Sequence, residues 1–334
     1  MRNPQAGAVV FVVPYLGNWP LWMPLFLRSC AANPDAHFRL LGNLPLAEPL
    51  PDNVRVDFIS AQEIENRVRS HLRIEFRLSD PHKICDLRPF YPSLFADVVG
   101  PYEFWGYCDL DVVFGDLSRV LSRDFLKEVD VFSAWDSRQL VGHFTLLRNS
   151  PAVAKIAFEI EDWRYRVGEV SRTTFMDEGG LTVALRAHPE VRWKHAGDVG
   201  QQFASGRAVV GATILHDGRV FEFDARRPVA CNWDGRRTFV REPGRSDVEV
   251  LYIHFMGLKR PYQWWAFDRG GTMAHCSFSL LGFHDRMLEL AELRSFGYRT
   301  KVLSLRCLAL LVALVGRLLP RRLKVAVTRP LRRQ

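Results

Sequence analysis

The sequence has no glycine-rich phosphate signature. Neither GxGxxG nor GxxxxGK[ST] occurs, which excludes a dinucleotide fingerprint and a P-loop. No GxSxG elbow is present either, so a serine-hydrolase reading has no support. Cysteine is sparse. The six (Cys30, Cys85, Cys108, Cys231, Cys276 and Cys307) show no CxxC spacing. That argues against a zinc ribbon or a disulfide framework and makes a reducing compartment the default. Internal repeats, low-complexity linkers and heptads are also missing. Residues 1–7 are short and polar with no long apolar run behind them, so no signal peptide is expected.

Charge is absent where it would matter for nucleic acid. Net charge is +8, yet ten Lys/Arg and no Asp or Glu lie in residues 299–334, which leaves residues 1–298 at about −2. A near-neutral body lacks the basic face that nucleic-acid binding uses, so no nucleic-acid partner is expected. The 334 residues, 48% hydrophobic, suffice for one large core.

What is present begins with a buried strand. Residues 9–13 are β-branched or aromatic without interruption, as in a parallel sheet. A loop follows, then a helical pattern over 20–32 opened by a proline, a strand over 36–41, another over 54–59, and a polar-faced helix over 61–72. This β-loop-α-β opening belongs to doubly wound sheets, whose ligands sit beyond the carboxyl ends of the strands. Further on, the pattern predicts a helical segment over 90–99, a strand over 102–108, a helix over 117–127 and strands over 129–135 and 142–147. Helices over 153–165 and 181–187 follow. Beyond residue 191 short strands (213–215, 220–223, 248–254) alternate with loops, notably 231–247.

The strand ending at Cys108 delivers Asp109 and Asp111. Alternation along a strand would point both carboxylates to one face and Leu110 to the other. Two such charges at the end of a buried strand are costly unless paired, and a hard divalent cation, Mn²⁺ or Mg²⁺, is the simplest partner. A second β-rich run ends at His254, followed by Gly257 and Lys259. Imidazole with carboxylates suits Mn²⁺, Gly257 permits close approach to a ligand, and Lys259 can hold a phosphate oxygen.

The segment CDLD (108–111) and the segment HFMGLKR (254–260) resemble the DxD and HxxGxK motifs of metal-dependent glycosyltransferases of the GT-A fold. Glycogenin and the bacterial lipopolysaccharide galactosyltransferases form the nearest well-known group. Residues 14–35, 83–117 and 142–149 look like a bacterial family of little-characterised glycosyltransferases associated with polysaccharide assembly. The resemblance covers roughly residues 8–265. It implies a GT-A-type (Rossmann-like) α/β fold: a mixed, mostly parallel sheet flanked by helices in one domain, 1–298, with a tail, 299–334.

The resemblance further implies Asp109, Asp111 and His254 as metal ligands and Gly257 and Lys259 as diphosphate contacts. Pro14 and Tyr15 match the loop around the nucleoside. Asp86 and Arg88 match donor-contacting positions. Asp177 and Glu178 stand where a pair at the sugar end is expected, as base or as sugar-hydroxyl partners, with an N-terminal helix cap as the ordinary alternative. His143 is a candidate lining residue of the sugar pocket. Asp116 and Asp136 read as cap or turn residues. Trp264 and Trp265 are displaced from the family pattern and read as core.

The tail is apolar over 302–319 but broken by Arg306 and Arg317, too short between them for a span of about 20 residues. It reads as a basic amphipathic segment lying on an anionic membrane surface. The expected activity is transfer from a nucleoside-diphosphate sugar, with UDP the first guess, to a glycan or lipid-linked acceptor at the cytoplasmic face of a plasma membrane. A nucleotidyltransferase or a non-catalytic carbohydrate-binding protein of the same fold are the alternatives.

Overall fold

The computed structural model describes residues 8–134, 139–195, 204–207, 211–216, 219–222, 230–241, 246–255, 276–279 and 282–284. Its first half contains β1 (Val9–Tyr15), helix α1 (Met23–Ala31), β2 (Ala36–Gly42), β3 (Val54–Phe58), β4 (Phe104–Cys108), β5 (Val112–Phe114), β6 (Val131–Ser133), β7 (Phe144–Arg148) and β8 (Trp193–His195). A seven-stranded sheet has the order β3-β2-β1-β4-β7-β6-β8. Every neighbouring pair is parallel except those made by β7, which runs antiparallel to β4 and β6. The mixed, mostly parallel sheet flanked by helices is the class expected from the sequence.

The unbroken apolar run of β1 has a direct cause. Val9, Phe11 and Val13 enter the core under α1, and Val10 and Val12 enter the core on the opposite face. Phe11 stacks on Phe38 at 5.3 Å between ring centroids and meets Phe144 at 5.2 Å. Side chains of Asn33 and Asn53 finish the turn after α1. The Asn53 amide donates to the carbonyls of Cys30, Asn33 and Ala36, and Asn33 donates to Ser29 and Gly115. The five described cysteines are free; all but Cys85 are fully buried, and burial raises their thiol pKa values, to about 11 for Cys85.

Chain order explains where a ligand can sit. From β1 the chain steps outward to β2 and β3, then returns to β4 on the other side of β1. The crevice beyond the carboxyl ends of β1 and β4 is therefore the switch point of the sheet.

The second half is built from shorter strands: β9 (Ala204–Arg207), β10 (Gly211–His216), β11 (Arg219–Glu222), β12 (Ala230–Trp233), β13 (Thr238–Arg241), β14 (Val248–Val250), β15 (Tyr252–His254), β16 (Cys276–Ser279) and β17 (Gly282–His284). They form two five-stranded sheets, β11-β10-β9-β15-β5 and β14-β13-β12-β16-β17.

Several sequence expectations need correction. The loop read over 231–247 contains the hairpin β12–β13. Asp234 accepts from the amides of Arg236 and Arg237, and Gly235 takes a left-handed φ of 96°. An Asp-Gly turn of this kind favours a hairpin, and the charged residues around it hid the signal. The helix expected over 117–127 breaks at Ser122, whose backbone is extended and whose hydroxyl caps Arg123–Lys127. The segment over 90–99 is preceded by a 3₁₀ helix, Pro81–Phe90, that pattern reading left as a lead-in. The boundary at 298/299 and the tail lie outside the described residues.

Asp130 ties three strands together. Its carboxylate accepts from Arg148 Nε at 2.7 Å and from Arg192 Nε and Nη2 at 2.9 and 2.8 Å. These bonds, Arg192 foremost, hold its pKa well below the usual carboxylate range. A depressed carboxylate stabilises the fold above the unfolded value near pH 4 and loses that contribution as pH falls. Asp130→Asn should therefore cost about 1.5–3 kcal/mol at pH 7. In urea titrations the gap from wild type should narrow below pH 4; a gap that is the same at pH 3 and pH 7 would contradict this account.

Candidate functional site

Asp109, Leu110 and Asp111 form the link between β4 and β5. The chain bends here, so the two carboxylates do not owe their common direction to strand alternation, as the sequence suggested. Leu110 anchors the bend. Its side chain is buried and its carbonyl accepts from Trp22 Nε1 at 3.0 Å. Asp111 is buried, whereas the Asp109 side chain remains 34% exposed.

His254 arrives from the last residue of β15. β15 runs antiparallel to β5, pairing His254 with Val112, and the next amide, of Phe255, donates to the Asp111 carbonyl at 3.0 Å. That register puts His254 Nε2 at 3.4 Å from Asp111 Oδ2 and 3.8 Å from Asp109 Oδ2. One ligand atom from each of the three residues lies within 4.8 Å of the others.

His254 is held from behind. Its ring stacks on His143 with centroids 4.2 Å apart. His143 Nδ1 and the Tyr252 hydroxyl are hydrogen-bonded at 2.7 Å. Burial, and then the neighbouring His254, push the His143 pKa well below its ordinary value, so this ring is neutral at pH 7. His143 thus orients the imidazole of His254. Tyr252 was missed in the sequence, although its spacing of two from His254 on one strand was the available signal.

Arg88 joins this cluster to a second one. It lies on the 3₁₀ helix Pro81–Phe90, is 8% exposed, and packs over the Tyr107 ring at 5.0 Å. One terminal nitrogen donates to Asp109 Oδ1 at 2.6 Å and the other to Asp177 Oδ2 at 2.7 Å. Beside it, the Gly142 amide donates to Glu178 Oε1 at 2.9 Å. A β-carbon at Gly142 would sit 2.3 Å from the Arg88 nitrogen, so only glycine lets these groups meet. Burial raises the carboxyl pKa of both Asp177 and Glu178; Arg88 opposes that rise at Asp177, and the Gly142 amide opposes it at Glu178. Asp177 and Glu178 are thus engaged with Arg88 and the Gly142 amide rather than capping the helix that follows.

Asp86 occupies a different place from the one its resemblance implies. It is fully buried, paired with Lys83 at 2.8 Å, and accepts from the amides of Thr174 and Met176 at 2.8 and 3.1 Å. Lys83 also donates to the Arg166 carbonyl at 2.7 Å. The pair fixes the turn before Asp177, with Phe175 between the two gripped amides at a left-handed φ of 53°. Lys83 was not singled out in the sequence, and no local pattern marks it as the buried partner of Asp86.

Pro14 and Tyr15 end β1. Three residues beyond the last β1–β4 pair, Phe11 with Gly106, the two strands reach Pro14 and Asp109. Both therefore stand at the switch-point crevice. Tyr15 stacks on Trp19 at 5.4 Å, and the loop is pinned where Gly17 N donates to Asn43 Oδ1. Gly257, Lys259, Asp136, Trp264 and Trp265 lie outside the described residues. Asp116 accepts from the Ser118 amide at 2.9 Å, the turn role expected of it.

The donor set fits a hard divalent cation. Two carboxylates and one imidazole converge, and oxygen-rich sets with a single imidazole suit Mn²⁺ and Mg²⁺. Arg88 bonds Asp109 and Asp177, while Asp111 stands beside Asp109 and Glu178 follows Asp177, so carboxylates outnumber this one guanidinium and a divalent ion would offset the excess.

Residues 11–268 match a family described as a family of unknown function (DUF6625). The chain belongs to that family. No curated protein matches the sequence. Among solved structures, the chain is similar to the glycosyltransferase GlyE of Streptococcus pneumoniae TIGR4, at 16% identity over 57% of this chain, with a TM-score of 0.28. It spans only 45% of GlyE. The galactosyltransferase LgtC, solved with donor and acceptor sugar analogs, is 12% identical over 52% of this chain and 71% of its own, with a TM-score of 0.29. Mouse xyloside xylosyltransferase 1 is 10% identical over 56% of this chain and 84% of its own, with a TM-score of 0.34.

If Asp86 braces the turn, Asp86→Ala should strand a buried lysine and lower stability by about 3–5 kcal/mol in equilibrium denaturation without any ligand. A variant as stable as wild type would return Asp86 to the list of ligand contacts.

Proposed function

We infer that this DUF6625 member is a metal-dependent glycosyltransferase that moves a sugar from a nucleoside-diphosphate sugar to a glycan or lipid-linked acceptor. The observation that carries this reading is the convergence of Asp109, Asp111 and His254 at the switch point of the sheet, beside a second carboxylate pair. The resemblance of residues 108–111 and 254–260 to the DxD and HxxGxK motifs supports it independently of the geometry.

Each described residue then has a task. Asp109, Asp111 and His254 would hold Mn²⁺ or Mg²⁺; such an ion, when bound, neutralises the charge that grows on a departing diphosphate. His143 and Tyr252 keep the His254 ring in place. Pro14 and Tyr15 offer a backbone bend and an aromatic face at the mouth of the crevice for a nucleoside. Asp177 and Glu178 stand at the sugar end, fixed by Arg88 and the Gly142 amide. With inversion at the sugar, Glu178 is the base: its raised carboxyl pKa fits it to take the acceptor's proton. With retention, both acids orient sugar hydroxyls. Gly257 and Lys259 complete the diphosphate site in this reading.

The acceptor side of the proposal rests on the tail. Among the described residues no helix is long and apolar enough to cross a membrane. Residues 299–334, apolar and basic, would lie against an anionic inner leaflet and bring the site to a lipid-linked glycan in polysaccharide assembly.

A binding screen of UDP-, GDP- and dTDP-sugars, each with and without Mn²⁺, tests the function. At least one donor should bind only when Mn²⁺ is present. Asp111→Asn and His254→Ala should each weaken that binding by at least about tenfold, a typical loss for a disturbed metal site. If no donor shows Mn²⁺-dependent binding, or if Asp111→Asn binds as wild type does, the reading fails.

A further inference from the structure

Arg88 is placed unusually for a residue beside a cation site. It is buried and forks between a metal-site acid, Asp109, and an acid of the second cluster, Asp177, at 2.6 and 2.7 Å. Its guanidinium is packed on two sides. The Tyr107 ring lies beneath it, and the backbone of Gly142 leaves no room even for a β-carbon. Asp109 Oδ1 is given to Arg88, while Asp109 Oδ2 faces His254 Nε2 at 3.8 Å. Asp109 thus turns one oxygen to Arg88 and the other toward the candidate metal site.

We propose that Arg88 is a positioning residue that competes with the divalent ion for Asp109 and, through its other arm, couples metal loading to the turn carrying Asp177 and Glu178. This rests on the metal site of the proposed function. In the metal-free protein Arg88 supplies the positive charge that lets Asp109 and Asp177 both stay close. A divalent ion at Asp109 weakens the Arg88–Asp109 contact electrostatically and leaves the guanidinium more strongly committed to Asp177. Linkage makes the effect reciprocal: whatever strengthens Arg88 on Asp177 favours the ion, and whatever strengthens Arg88 on Asp109 opposes it. The 3₁₀ helix Pro81–Phe90 reinforces the coupling, because Asp86 on the same helix grips the amides of Thr174 and Met176.

The fingerprint is a pair of opposite effects on the affinity for Mn²⁺ alone, measured by titration calorimetry or by the EPR signal of free Mn²⁺. Arg88→Met removes the competing cation and should tighten Mn²⁺ binding by about fivefold or more. Asp177→Asn removes the other anchor, commits Arg88 to Asp109, and should weaken Mn²⁺ binding by a similar factor. Neither residue is a metal ligand, and general damage to the site would weaken binding in both. Arg88→Lys, which keeps the charge but cannot fork, stands in if the methionine variant does not fold, and should tighten binding to a smaller degree. Wild-type protein supplies a readout that needs no variant: saturating Mn²⁺ should change amide exchange over residues 174–180. If Mn²⁺ binds in an Asp111-dependent way but leaves exchange over 174–180 unchanged, or shifts both variants in the same direction, the coupling is overturned and the metal site stands. If wild type binds no Mn²⁺, both fail together.

Discussion

Three ladder pairs between β15 and β5 decide whether there is a site at all. The chain leaving β4, beside the parallel β1, brings two carboxylates to the switch point, but neither strand supplies an imidazole. The imidazole comes from the other half of the chain, and its height is set by the register Tyr252 with Phe114 and His254 with Val112. A slip of one residue would turn His254 to the opposite face and put Ile253 in its place. Phe255 N bonded to the Asp111 carbonyl and Tyr252 buried against Phe144 at 5.2 Å both oppose such a slip.

Electrostatics then divides labour among buried charges. Lys83 and Asp86 neutralise each other in a place with no access to solvent, and their remaining hydrogen-bond capacity goes to backbone groups of Arg166, Arg172, Thr174 and Met176. This pair is structural. Arg88, five residues along the same helix from Lys83, faces an excess of acid and is left half in the site. The difference between the two cations is partner geometry. An ammonium serves one carboxylate and nearby carbonyls, whereas a planar guanidinium can span two carboxylates from separate segments.

Much of this was legible in the sequence for physical reasons. The run over 9–13 and the aspartates after 104–108 stand out because a strand covered on both faces has no polar positions to spare. His254 was legible because it closes a β-rich run. What was hidden depends on contacts between distant segments. Arg88 reaches Asp177 across 89 residues, and Asp86 reaches the Thr174 amide across 88, so neither role has a local pattern. Asp86 was accordingly taken for a ligand contact, and the bend at Asp109–Asp111 was taken for strand. The hairpin of β12 and β13 was obscured because its turn is flanked by arginines that pair locally, as Arg237 does with Asp234 at 3.3 Å.

The contact of His143 with Tyr252 bridges 109 residues of chain. The entropy of closing so long a segment rises only with the logarithm of its length; doubling it costs about 0.6 kcal/mol. The geometry of His254 is thus fixed by its two neighbours and is nearly indifferent to how much chain lies between them. Lengthening or shortening the connections between the second-half strands should therefore cost the geometry of this centre little while changing the surface around it.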